Sequence, residues 1–182
     1  MMVDQLPEEL RALKTQLKAF INEVVIPSEP ELMTEDANSE RVAAELKTKA
    51  KEAGLWALGH PSEIGGGGLP FMDFVYLNEV IGRSHWGQWA VGSLSMQDSI
   101  MLHLYASDEQ RERFLKPLVA GEIYPSVGLT EPEVAGSDPT QMQATAVLDG
   151  DEWVISGHKW FTSGANRAAF TTVFAITEPD AE

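Results

Sequence analysis

The sequence predicts an α+β chain: an all-α helical domain over residues 1–122, then the first strands of an incomplete β domain over residues 123–182. Three observations carry this reading. Apolar residues recur at spacings of three and four through the first two thirds of the chain. From Tyr124 onward they alternate, or gather in short runs bounded by turn residues. Asp149-Gly150 lies between two such runs, the pattern of a tight hairpin.

The helices follow in order. Pro7 opens the first at its first turn, and Leu10, Leu13, Leu17, Ile21 and Val24 form its apolar stripe. Pro27 and Pro30 are expected to close it. Ser39 is the expected N-cap of the second, with Val42, Leu46 and Ala50 on one face and Gly54 as the stop. Pro70 starts a third that carries Phe71, Phe74, Val75, Val80 and Ile81. A fourth is expected from Trp89 to Tyr105. Ser107, with Gln110 three positions on, makes a capping box for a fifth that ends near Gly121. In the β part, Ala144–Leu148 and Trp153–Ser156 form the hairpin, and Trp160–Thr162 and Phe170–Ile176 read as two more strands. Four strands, some of them edges, make a poor independent domain, so the sequence reads as part of a longer chain.

Composition narrows the function classes. Of 182 residues 43% are apolar, enough for a packed core. The formal net charge of −15 repels a phosphate backbone, which argues against nucleic acid as partner. No run approaches the ~20 apolar residues of a membrane span, and MMVDQLPEEL lacks the basic and apolar regions of a secretory signal. The absence of cysteine removes disulfides and thiolate chemistry and fits a cytoplasmic protein, with the mitochondrial matrix left open. His60, His85, His103 and His158 are far apart and form no helical ligand pair, so no metal site is expected. The run Gly65–Gly68 in PSEIGGGGLP follows no strand and precedes no Lys-Ser/Thr, which makes it a tight connection rather than a phosphate cradle.

Two stretches hold candidate chemistry. In GLTEPEVAGSDPTQ, Gly128–Gln141, Thr130 offers a hydroxyl and Pro132 stiffens the turn. Gly136 permits close backbone approach, and Ser137 adds a hydroxyl beside backbone N–H groups, a nest suited to a pyrophosphate or the polar rim of a heterocycle. The same residues also suit an ordinary loop with capping side chains. In GHKWFTSGA, Gly157–Ala165, a strand would point Trp160 and Phe161 to opposite faces and put Ser163 on the Phe161 face. One aromatic could then lie against a planar ligand, or both could join a core.

Taken together, the two stretches resemble the acyl-CoA dehydrogenase family, in which a TEPxxGSD loop and a GxKxWIT strand both face FAD. Here they read TEPEVAGSD, with one extra residue between Pro132 and Gly136, and GHKWFTSG. PSEIGGGGL and YASDEQRERFLKPLVAGE are similar to the family's glycine-bearing connection and to its helix before the β domain, so the likeness runs along nearly the whole chain. It implies that the β domain is part of a barrel. It implies FAD as cofactor, with Leu129 and Thr130 at the flavin ring edge, partly through backbone atoms. By the same likeness Gly136 and Ser137 meet the pyrophosphate, Phe161 takes the place of the usual Trp against the isoalloxazine, and Ser163 replaces the usual Thr near flavin N5. Phe161 lacks an indole N–H, Ser163 lacks a methyl, and the extra loop residue bears on Ser137.

The implied reaction converts an acyl-CoA thioester to the 2-enoyl-CoA, by α-proton abstraction and β-hydride transfer to the flavin. Its electron acceptor would be an electron-transfer flavoprotein and its assembly a homo-oligomer. The family's base comes from a C-terminal bundle that residues 1–182 do not include. Glu131 and Asp138 are implied to fix the loop instead, so no catalytic residue is assigned and the chain alone is expected to be inactive. An acyl-CoA oxidase or flavin monooxygenase on the same scaffold, or a truncated non-catalytic interaction module, are the alternatives.

Overall fold

The computed structural model describes residues 6–34 and 36–179. The expected class holds: helices first, then strands. The chain divides between Glu122 and Ile123 into two compact units.

In the helical unit, α1 (Glu8–Phe20) runs into a π turn (Ile21–Val25) and on into α2 (Ile26–Leu32). Pro27 and Pro30 therefore do not close this helix. Within the π turn the hydrogen bonds skip a residue, as in Ile26 N–H to the Ile21 carbonyl. The wider turn leaves room for a proline ring that would otherwise strike the carbonyl four residues back. It also moves the buried face on by one position. Leu17, Ile21 and Val25 are fully buried, while Val24 is only partly so. The same device recurs where a π turn (Arg111–Leu115) precedes Pro117.

Helix α3 (Ala37–Glu52) is capped by Asp36 rather than by Ser39. Asp36 Oδ1 accepts from the Asn38 and Ser39 amides, both at 2.9 Å, and Ser39 Oγ donates back to the Asp36 carbonyl. Beyond α3, Gly54 takes φ 67°, the left-handed stop expected of it. Helix α4 (Phe71–Ile81) starts after Pro70 and buries Phe74, Leu77, Val80 and Ile81, but Phe71 faces solvent. The single helix expected from Trp89 to Tyr105 is two: α5 (Gly87–Ala90) and α6 (Met96–Tyr105). Gly92 breaks it with φ 69°, and a Cβ there would lie 2.6 Å from the Trp56 ring. The Ser107–Gln110 capping box forms in both directions and starts α7 (Asp108–Gln110). After the second π turn, α8 (Lys116–Val119) ends before Gly121 at φ 73°. One core unites α1 to α5, with Leu17, Leu46, Leu55, Leu77 and Ile81 at its centre.

The glycine run is a packing device. Amides of Gly66, Gly67 and Gly68 donate to the carbonyls of Pro61, Ala57 and His60 at 2.9–3.0 Å. A Cβ on Gly66 would lie 2.2 Å from the His60 carbonyl oxygen. These amides are spent on the chain itself and leave nothing for a phosphate.

In the second unit, β1 (Pro125–Gly128) pairs in parallel with β4 (Phe170–Val173). β2 (Thr145–Asp149) and β3 (Glu152–Ser156) form the hairpin, each end shifted by at most a residue from expectation. Its two loop residues are Gly150, at φ 62°, and Asp151. The run Phe170–Ile176 serves two sheets: Val173 pairs with Gly128, and Ile176 bridges to Thr145. Trp160–Thr162 is not a strand.

Candidate functional site

The two candidate stretches lie side by side in the β unit. Trp160 N–H donates to the Thr130 carbonyl at 3.1 Å. Lys159 Nζ donates to the Leu129 carbonyl at 3.0 Å and to Glu131 Oε1 at 2.7 Å. Residues 129–131 and 159–160 are thus bonded backbone to backbone, backbone to side chain, and side chain to side chain.

Glu131 is the fixed point of the loop and is only 3% exposed. Besides Lys159, its carboxylate accepts from the Gln143 amide at 2.7 Å and the Ala144 amide at 2.8 Å. The Lys159 hydrogen bond, helped by the two amides, holds its pKa down to about 2. Such a carboxylate is a weak proton acceptor, because protonation would remove the charge that strengthens its three hydrogen bonds. Asp138 is engaged likewise. It accepts from Thr140 Oγ1 at 2.6 Å, from the Thr140 amide and from Gln141 Nε2, capping a short turn at Pro139–Gln141. These bonds, with Thr140 first, lower its pKa as well. Gly136 packs over Thr130, where a Cβ would lie 3.1 Å from Thr130 Cγ2. The Ser137 side chain is exposed, and Leu129 and Thr130 are half-buried.

Phe161 departs from the expected geometry. It takes φ 51°, in the left-handed region that bulky residues rarely occupy. The rings of Trp160 and Phe161 do not point to opposite faces: their centroids are 4.7 Å apart and their planes tilted by 50°. The physical reason is that the segment is pinned through Lys159 and Trp160 to residues 129–131 and turns at once, with Ser163 N–H bonded to the Phe161 carbonyl at 2.9 Å. Phe161 is 77% exposed, and Ser163 is exposed too. Sequence reasoning assigned no role to Lys159. Its signal is faint: a lysine within an aromatic cluster, 28 residues from the acid it meets.

In the helical unit, a cleft of about 290 Å³ is bordered by Glu63, His103, Asp108, Arg111, Glu112 and Lys116, and by none of the candidate residues. Among the described residues no group of three or more His, Asp or Glu is arranged to hold a metal. No described helix is long and apolar enough to cross a membrane.

A helical unit followed by a β unit with these joined motifs has the layout of the first two domains of acyl-CoA dehydrogenases. The family's N-terminal domain matches residues 7–122 and its middle domain residues 126–182. The chain belongs to the acyl-CoA dehydrogenase family. It is 35% identical to acyl-CoA dehydrogenase family member 10 of Mus musculus, over 94% of this chain and 17% of that one. Acyl-CoA dehydrogenase FadE29 of Mycobacterium tuberculosis is 30% identical over 100% of this chain and 46% of its own length. A Mycobacterium abscessus structure, described as an acyl-CoA dehydrogenase, superposes with a TM-score of 0.83 at 32% identity, covering 97% of this chain and 48% of that one. The chain spans less than half the length of each of these proteins.

Proposed function

We propose that this chain contributes one wall of the FAD site of an acyl-CoA dehydrogenase, built from Leu129–Ser137 and Lys159–Ser163. The observation that carries the reading is the hydrogen-bonded junction of the two motifs, Trp160 N–H to the Thr130 carbonyl and Lys159 Nζ to the Leu129 carbonyl. It brings Thr130 into one frame with an aromatic ring displayed to solvent at a backbone angle that costs ~1–3 kcal/mol. Strain of this kind persists where the surroundings over-determine it, as they do here, and it clusters at ligand sites.

The fit to a flavin is chemical. With the carbonyls of Leu129 and Thr130 already accepting hydrogen bonds, the segment offers N–H groups and the Thr130 hydroxyl, the donors that a flavin's carbonyl and ring-nitrogen acceptors require. Phe161 supplies a flat apolar face, Ser163 a hydroxyl beside it, and Gly136 with Ser137 a polar turn for the pyrophosphate. When bound, FAD supplies the two-electron redox chemistry by which a β-hydride leaves an acyl-CoA. Glu131 and Asp138 are poor candidates for the base, since the hydrogen bonds that lower their pKa make them weak proton acceptors. By the family likeness the α-proton goes to a carboxylate in a C-terminal bundle outside residues 1–182, and on this reading the chain alone is inactive. An electron-transfer flavoprotein as acceptor and a homo-oligomeric assembly belong to the same reading and rest on the family alone.

The test is a visible absorption spectrum of the whole protein and of the Phe161→Ala variant, after incubation with FAD and desalting. Flavin bands retained by the wild type and weakened in the variant support the reading. A whole protein that retains no flavin overturns it.

A further inference from the structure

Lys159 and Glu131 form the one ion pair described in this chain in which both side chains are largely buried, at 13% and 3% exposure. Burying two charges is costly and is offset here by dense hydrogen bonding: Glu131 accepts from Gln143, Ala144 and Lys159, and Lys159 also donates to the Leu129 carbonyl. An apolar pair of similar volume would usually hold a fold as well or better. What the charged pair adds is direction. It ties three strips of chain that are remote in sequence, residues 129–131, residues 143–144 and residue 159, and each bond has a fixed length and angle.

We propose that Lys159 and Glu131 are positioning residues: a clasp that sets the register of Leu129–Thr130 against Trp160–Phe161, and so aligns the polar edge and the aromatic face of the site. This rests on the flavin reading above. Neither side chain needs to touch the cofactor. The clasp also confers acid resistance. Lys159 is the one charged group acting on Glu131, and its other partners are backbone amides. The folded pKa lies below the ordinary carboxylate value, so the stabilisation is fully present above about pH 4.5 and is lost as the pH falls through about 2. Removing the ammonium takes away the largest lowering influence and leaves burial, which raises the pKa, opposed only by the Gln143 and Ala144 amides, so the loss moves toward milder acid.

The test uses the whole protein as wild type, Lys159→Met and Lys159→Arg. Amide hydrogen exchange at Gln143 and Ala144 is read in the flavin-free form, and FAD affinity by fluorescence titration from pH 7 to pH 5. The clasp predicts faster exchange at both amides in Lys159→Met. It predicts FAD affinity weaker by about tenfold or more, with any further fall on acidification setting in at a higher pH than in the wild type. Lys159→Arg should recover more of both than Met does. Unchanged exchange at Gln143 and Ala144 in Lys159→Met overturns the clasp. So does FAD affinity within about twofold of a wild type that binds, at both pH values. A wild type that binds no FAD overturns the flavin reading instead, and the exchange rates still decide the clasp.

Discussion

The helical core and the β hairpin use the same apolar residue types to opposite effect. In the helical unit Leu17, Ile21, Leu46, Leu55, Leu77 and Ile81 are at most 1% exposed. In the hairpin Val147, Leu148, Trp153, Val154 and Ile155 are all at least half exposed. The register pairs Leu148 with Trp153 on one face and Val147 with Val154 on the other, so both faces are apolar. That is the pattern of strands meant for burial on two sides. A helix with one stripe closes a core with its neighbours, whereas a two-sided strand pair needs cover above and below. The difference teaches where this chain closes a core by itself: the first unit does so, although Phe71, Met72, Leu104 and Tyr105 stay exposed on it, whereas the hairpin presents both of its apolar faces.

The sharpest way to break the comparison is truncation on each side of it. Leu77→Ala should destabilise the helical unit by ~2–5 kcal/mol, read by chemical denaturation. Val154→Ala, with half its surface already in water, should cost less than about 1 kcal/mol. Equal losses would mean that the hairpin faces are covered in solution.

Next in size are two glycines in look-alike loops. Gly66→Ala drives a Cβ into the His60 carbonyl, a backbone atom that cannot swing away, and should cost ~1–3 kcal/mol. Gly136→Ala meets a Thr130 methyl at 3.1 Å, with Thr130 Cα and Oγ1 at an ordinary 3.5 Å. Its stability should change less than that of Gly66→Ala, while on the proposed reading FAD retention falls, because a pyrophosphate there would need close backbone approach. A Gly136→Ala variant that keeps flavin but unfolds easily would reverse the assignment of the two loops.

The smallest stability effect belongs to Phe161→Gly. Glycine tolerates φ 51° without penalty, so thermal denaturation should show stability unchanged or raised by about 1 kcal/mol. FAD affinity should drop by roughly tenfold with loss of the aromatic face. A variant that loses both together would make Phe161 a structural residue.

Legibility in the sequence followed locality. The Ser107–Gln110 box and the stops at Gly54 and Gly121 form as read, and the hairpin forms with its turn one residue on, at Gly150-Asp151, because each is decided within four or five residues. The cap of α3 was missed by one turn, since Asp36 and Ser39 are both good caps and only geometry separates them. The passage of the first helix through Pro27 depends on a π turn that proline spacing alone does not announce. In the candidate site, the residues and their chemistry were legible but their arrangement was not. Trp160–Thr162 reads as a strand from its residue types, yet its backbone is set by partners at Leu129, Thr130 and Glu131.

The sequence by itself determined the class of fold, the order of helices and strands and the two motifs that mark the family, because periodicity, caps and turn residues are properties of neighbours. Only the tertiary structure decided that the glycine run spends its amides on its own chain, that Gly92 splits a helix against Trp56, and that a buried Lys159–Glu131 pair joins the motifs. Each of these depends on segments five or more residues apart arriving at the same place, and a linear pattern carries no record of that meeting.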